Sequence, residues 1–96
     1  MKDIELKVLR EGAGELELEF VGEGHTFMNL LKSSLLEDPD VLVATYDIKF
    51  PTISNPIMYI RTKEGDRGPR TILKDAVDRI ISKFDELTEA MVGVLV

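Results

Sequence analysis

The stretch Gly24-His25-Thr26-Phe27-Met28-Asn29-Leu30-Leu31-Lys32 decides how this chain folds, because it joins a strand pattern to a helix pattern. Just before it, Gly22-Glu23-Gly24 breaks the preceding strand. Thr26 is placed to accept a backbone N–H as a helix N-cap. Behind it Phe27, Leu30, Leu31, Ser34 and Leu35 share one helical face, widened by Met28, Leu36 and the aliphatic stem of Lys32. Pro39 disfavours helical backbone at the residue before it, so this helix ends near Glu37.

Upstream, Ile4-Glu5-Leu6-Lys7-Val8 and Glu15-Leu16-Glu17-Leu18-Glu19-Phe20 alternate apolar with charged residues, the pattern of strands with one face in a core. Gly12-Ala13-Gly14 between them supplies a tight turn. The two read as a hairpin whose Glu15, Glu17 and Glu19 face solvent. Downstream, residues 41 to 50 read as a strand with Leu42, Ala44, Tyr46, Ile48 and Phe50 on one side. Val41 and Val43 make the other side apolar at its start. A turn from Pro51 to Pro56 leads into a returning strand over residues 57 to 63, and Glu64-Gly65-Asp66-Arg67-Gly68-Pro69 is a loop.

The last element is a long helix. Leu73, Val77, Ile80, Phe84, Leu87 and Met91 recur at spacings of 4, 3, 4, 3 and 4, flanked by Ile72, Ala76 and Ile81. About twenty residues of helix run roughly 30 Å, more than a sheet of short strands covers. The half through Ile80 is therefore expected to be core. The half from Phe84 to Met91 is expected to project, and its apolar stripe is divided evenly between core and partner surface. The tail Val92-Gly93-Val94-Leu95-Val96 continues the contact, adds a strand or frays; the pattern leaves all three open.

The order strand, strand, helix, strand, strand, helix predicts a ββαββα fold of the α+β class. Two β-hairpins form a four-stranded antiparallel sheet with two helices on one face, in a single domain over residues 1–96. Which strands join the hairpins is not fixed by the pattern.

Composition excludes several functions. With no Cys among 96 residues, disulfides and thiolate metal sites are out. The N-terminus lacks the apolar run of a signal peptide and no stretch is long and apolar enough to span a membrane, so the expected compartment is cytoplasmic. The net charge of -6 argues against direct nucleic-acid contact, because an acidic chain gains nothing from displacing phosphate counterions. Arg67 and Arg70 share a loop and read as solvated.

No residue set demands chemistry. His25 is the only histidine, without a recognisable nucleophile motif around it, and reads as a local packing residue. Glu37, Asp38 and Asp40 lack the Gly and bidentate Glu of a calcium loop and read as a solvated helix end. Gly22-Glu23-Gly24 lacks the third Gly of a dinucleotide fingerprint and the Lys-Ser/Thr of a nucleotide loop. The expectation is a chain with no catalytic residues, no cofactor and no metal.

His25-Thr26-x-x-Asn29, eleven residues, Val41-x-Val43-x-x-Tyr46 and then Pro51 resemble the signature of the RNA polymerase subunit L family. That family comprises small alpha-like assembly subunits of archaeal and eukaryotic RNA polymerases. The likeness covers nearly the whole chain and extends to the dimerisation domain of the bacterial alpha subunit. Phe50 and Thr52 stand where relatives commonly carry His and Leu, Thr45 where a small residue is usual, and Gly24 where an acid is frequent. The resemblance implies a heterodimer with the larger alpha-like subunit of RNA polymerase, the D-type subunit of archaea, made by two helices from each chain. That pair is a platform for the larger polymerase subunits, which carry out RNA synthesis, in an archaeal cytoplasm. By carry-over the interface is His25, Thr26, Phe27, Asn29, Leu30, Leu31 and Leu35 on the first helix and Ile80, Phe84, Leu87 and Met91 on the second. Asn29 then sets register, and His25 braces the turn or touches one of the larger subunits. The isolated chain is expected to be sticky. Two other readings compete: a free-standing homodimeric binding module using the same helices, and a small enzyme using His25.

Overall fold

A computed structural model describes residues 5–48 and 55–95. Ile4, Phe50, Pro51, Thr52 and Val96 lie outside the described residues. The chain runs β1 (Glu5–Gly12), β2 (Glu15–Val21), α1 (His25–Leu36), β3 (Val41–Asp47), β4 (Ile57–Thr62) and α2 (Pro69–Leu95). The strands form one antiparallel sheet in the order β1-β2-β4-β3. The hairpins therefore meet along β2 and β4, where Glu15 pairs with Arg61 and Glu19 with Ile57.

Alternation buries Leu16, Leu18 and Phe20 of β2 together with Met58 and Ile60 of β4 and Ala44 of β3. Met28, Leu31 and Leu35 of α1 and Ile72 and Ala76 of α2 close the same core, so both helices cover one sheet face. On the other face the glutamate row of β2 is half-buried. Tyr59 donates its hydroxyl to Glu15 at 2.7 Å and the Asn55 amide donates to Glu19 at 3.0 Å. The row is therefore knitted into the sheet as well as facing water.

Two details differ from the alternation. In β3, Val41 pairs with Thr62 and Val43 with Arg61, leaving Leu42 as the extra residue of a bulge. One extra residue reverses the parity of a strand. Val41 consequently packs against the core while Leu42, expected beside Ala44 and Tyr46, is exposed. A second irregularity, at Leu9, sits in edge strand β1.

The loop arginine Arg67 is not solvated as expected. Its guanidinium donates to Asp38 at 2.9 Å, Asp40 at 2.8 Å and Asp75 at 2.7 Å. Asp38 is buried and also accepts the Asp40 backbone N–H at 2.9 Å. The turn after α1 is thus a clamp onto the start of α2, not a free acidic helix end. The pattern along the chain does not reveal this, because Arg67 is 29 residues from Asp38. Arg70 likewise pairs with Glu11, binding α2 to β1.

The turn between β1 and β2 requires a glycine. Gly14 has φ 76°, and a Cβ there would stand 2.9 Å from the Thr62 carbonyl oxygen. The same contact includes a bond from the Thr62 N–H to the Gly14 carbonyl at 2.8 Å. Gly14→Ala is expected to cost about 1–3 kcal/mol through the left-handed backbone and the collision. Gly12→Ala, with ordinary space around its Cβ, is expected to be neutral within about 0.5 kcal/mol. Urea midpoints of the two variants check the contrast.

The Arg67 clamp carries a pH signature. The guanidinium of Arg67, and then the Asp40 N–H, hold the Asp38 carboxyl below the usual carboxylate range. The folded state therefore binds fewer protons at this site than the unfolded one. The stabilisation is complete above the unfolded value of about 4 and is lost as pH falls through the depressed folded value. Melting temperatures across the acid range should drop for the native chain. Asp38→Asn should flatten that drop, and Arg67→Gln should lower the melting temperature near pH 7 more than Arg70→Gln, because it strands a buried carboxylate.

Candidate partner interface

The start of α1 is set by glycines. Gly22 has φ 86°, and Gly24 is extended with its carbonyl accepting the Met28 N–H at 3.2 Å. Gly24 is the N-cap, without a side-chain cap bond. Thr26, expected to cap, lies inside the first turn and is exposed. The helix begins earlier than the cap rule suggests because the extended Gly24 backbone already supplies the first acceptor. His25 is held at this end by a 2.9 Å bond between its Nδ1 and the Tyr46 hydroxyl, with ring centroids 5.6 Å apart. It braces α1 against β3.

Along α1 the expected interface residues separate into two groups. Leu31 and Leu35 have no exposure at all and form part of the chain's own core. They contradict the expected partner role, because a side chain with nothing left in water has no area to bury against a second molecule. Phe27 is half-buried, packed on Phe20 with centroids 6.1 Å apart. His25, Thr26, Asn29 and Leu30 are exposed on the outer face. The distinction follows from the 3.6-residue period: Leu31 and Leu35 lie with Met28 toward the sheet, and Leu30 lies one step around.

α2 crosses α1 near its own start. The buried Ser34 hydroxyl donates to the Ala76 carbonyl at 2.7 Å, and Arg79 donates to the Ser34 carbonyl at 2.5 Å. Lys83 reaches Glu37 at 3.1 Å. Only Ile72 and Ala76 of this helix are fully buried, with Leu73 and Ile80 partly so. From Ile81 to Leu95 every residue is exposed. The helix extends through Leu95, so the described tail continues the helix. Its 27 residues span about 40 Å, whereas a seven-residue strand reaches about 23 Å.

Where the helices diverge they leave an apolar groove. One arm, about 200 Å³, lies among Leu30, Ser33, Ile80, Phe84 and Leu87. The other, about 450 Å³, continues past Phe27 and Leu30 to His25. Phe84 and Leu87 are each 53 % exposed and Met91 is 50 % exposed. Ile80, Phe84, Leu87 and Met91 therefore form one line, with Leu30 and Phe27 across from it. The paired Lys83 and Glu37 stand on the rim of the first arm and Glu23 on that of the second, which leaves the floor to hydrocarbon. Such a surface excludes water when a second apolar surface fills it. Among the described residues no group of three His, Cys, Asp or Glu is placed to hold a metal ion, and no helix is long and apolar enough to cross a membrane.

Exposed Ile81, Val92, Val94 and Leu95 extend the stripe beyond the residues expected. The apolar tail was the available signal. Leu6 and Val8 are exposed as well, which no strand pattern indicates, because alternation marks a face without saying what covers it.

Residues 15–90 match the RNA polymerase Rpb3/Rpb11 dimerisation domain. The chain belongs to the archaeal RNA polymerase Rpo11/L family. Within that family it is 48% identical over 81 residues to the DNA-directed RNA polymerase subunit Rpo11 of Methanothrix thermoacetophila, covering 84% of this chain and 87% of that one. The Rpo11 of Methanosarcina barkeri is 44% identical, covering 90% and 91%. That of Archaeoglobus fulgidus is 40% identical, covering 92% and 100%. A crystal structure of DNA-directed RNA polymerase subunit L from Thermoplasma acidophilum superposes with a TM-score of 0.82 at 28% identity, covering 94% of this chain and 87% of the other. The ββαββα arrangement read from the Rpo11/L-like sequence is thus the family fold.

The buried and the exposed residues expected at the interface predict opposite behaviour in the isolated chain. Leu31→Ala should cost about 2–5 kcal/mol in unfolding free energy through a core cavity. Phe84→Ala, on the projecting end, should stay within about 1 kcal/mol. Denaturant titration of the dilute chain measures both.

Proposed function

We propose that this chain is a non-catalytic assembly subunit of DNA-directed RNA polymerase. It heterodimerises with the larger alpha-like, Rpb3-like subunit, and the pair is a platform for the two largest subunits in an archaeal cytoplasm. The observation that carries the reading is the α2 end from Phe84 to Leu95, whose apolar stripe no part of its own sheet covers. A dimerisation domain with such an end has its partner contact there.

The contact extends across the groove. Leu30 and Phe27 of α1 face the same space as Ile80 and Phe84. Burying the remaining half of Phe84, Leu87 or Met91 is worth on the order of 1 kcal/mol each. Exposed Asn29 contributes a polar contact that favours one register over its neighbours. Thr26 lies on the rim and His25 anchors the end of the groove through Tyr46. The net charge of -6 keeps the chain off nucleic acid.

Co-expression with the alpha-like partner tests the reading. The native chain is expected to elute with that partner as a 1:1 complex. Leu30→Asp combined with Phe84→Asp should abolish the complex while circular dichroism of the chain stays unchanged, because neither side chain is core. Complex formation that survives both changes would refute this interface. His25→Ala should leave pairing within about tenfold.

A further inference from the structure

The outer flank of α2 has a symmetry that the heterodimer does not need. About Phe84, its apolar residues are disposed as a palindrome: Ile81 and Leu87 three residues away, Val77 and Met91 seven, Leu73 and Leu95 eleven. At 100° per residue all seven fall within about 120° of arc. Its first two residues, Leu73 and Val77, wall a second groove of about 440 Å³ together with Leu6 and Val8 of β1.

We propose that this flank pairs with the same flank of a second copy of the chain, antiparallel, with a twofold axis at Phe84. In that register Phe84 meets Phe84, Ile81 meets Leu87, Val77 meets Met91 and Leu73 meets Leu95. The Leu95 end of each copy seats in the β1–α2 groove of the other, against Leu6 and Val8. Two further observations favour a second copy over any other occupant. Leu6 and Val8 stand about half exposed with Ile81, Phe84, Leu87 and Met91. Together with Leu95 these side chains offer on the order of 700 Å², close to the ~800 Å² per partner of a stable interface. The entering end, Met91 to Leu95, is apolar and carries no charge, as a groove walled by Leu6, Val8, Leu73 and Val77 requires. An isologous contact satisfies both copies with one patch. Phe84, Leu87 and Met91 serve this contact and the proposed heterodimer contact alike, so the two are mutually exclusive. The homodimer stores the interface until the alpha-like partner displaces a copy. The inference goes beyond the heterodimer reading and stands without it.

The chain has no Cys, so single-cysteine variants report geometry cleanly. Native mass spectrometry of the isolated chain at tens of micromolar is expected to show a dimer. Under mild oxidation Phe84→Cys should cross-link to itself, and Glu89→Cys, on the opposite side of the helix, at least tenfold less. Ile81→Cys mixed with Leu87→Cys should cross-link at least tenfold more than either alone. Val8→Glu, outside the heterodimer surface, should return the chain to monomer while leaving capture by the alpha-like partner intact. A monomeric native chain, equal cross-linking at Glu89→Cys, self-linking at positions 81 and 87 equal to the mixture, or a dimer unchanged by Val8→Glu would each overturn the proposal. Absence of capture by the alpha-like partner, with the homodimer retained, would instead count against the heterodimer reading alone.

Discussion

The crossing of α1 and α2 at Ser34 and Ala76 is the contact on which the rest of this molecule depends. Ala76 has no side chain beyond Cβ, so the helices approach closely, and the Ser34 hydroxyl finds an acceptor in its carbonyl. Both partners are buried, so the bond replaces one that water would otherwise supply. The crossing falls within the first third of α2. Everything beyond Ile80 is therefore a cantilever, and its apolar residues are exposed because no part of the chain's own sheet is long enough to meet them.

A cantilever is useful only if its direction is fixed. Three polar ties on one side of α2 fix it: Asp75 to the Arg67 clamp, Arg79 to the Ser34 carbonyl and Lys83 to Glu37. Arg67 also grips Asp38 and Asp40 in the turn after α1, so one guanidinium fastens the turn that follows one helix to the first turns of the other. On the opposite flank Arg70 reaches Glu11 of β1. Fastening the helices before association removes ordering cost from the association step. The ties stand behind the apolar stripe or at its edges, with Lys83 and Glu37 on the rim of the groove, which leaves Phe84, Leu87 and Met91 exposed.

The sheet has two edges and both carry a bulge, at Leu9 in β1 and Leu42 in β3. Bulges twist an edge and discourage strand addition. The chain thus exposes hydrocarbon on its helical side while blunting the sheet edges.

Sequence by itself determined the element order, the two amphipathic faces and the mismatch between a long α2 and short strands. All of these follow from local periodicity and from rise per residue, which need no knowledge of neighbours. It also carried the family, through residues at fixed spacing. Tertiary structure alone decided that β2 pairs with β4, that a bulge puts Val41 inward and Leu42 outward, and that Gly24 rather than Thr26 caps α1. It also decided that Leu31 and Leu35 belong to the core while Leu30 remains outside, and that Arg67 is bound to three carboxylates. The reason is the same in each case: periodicity names the residues on a face, but burial, register and charge pairing are set by segments tens of residues away that only the folded chain brings into contact.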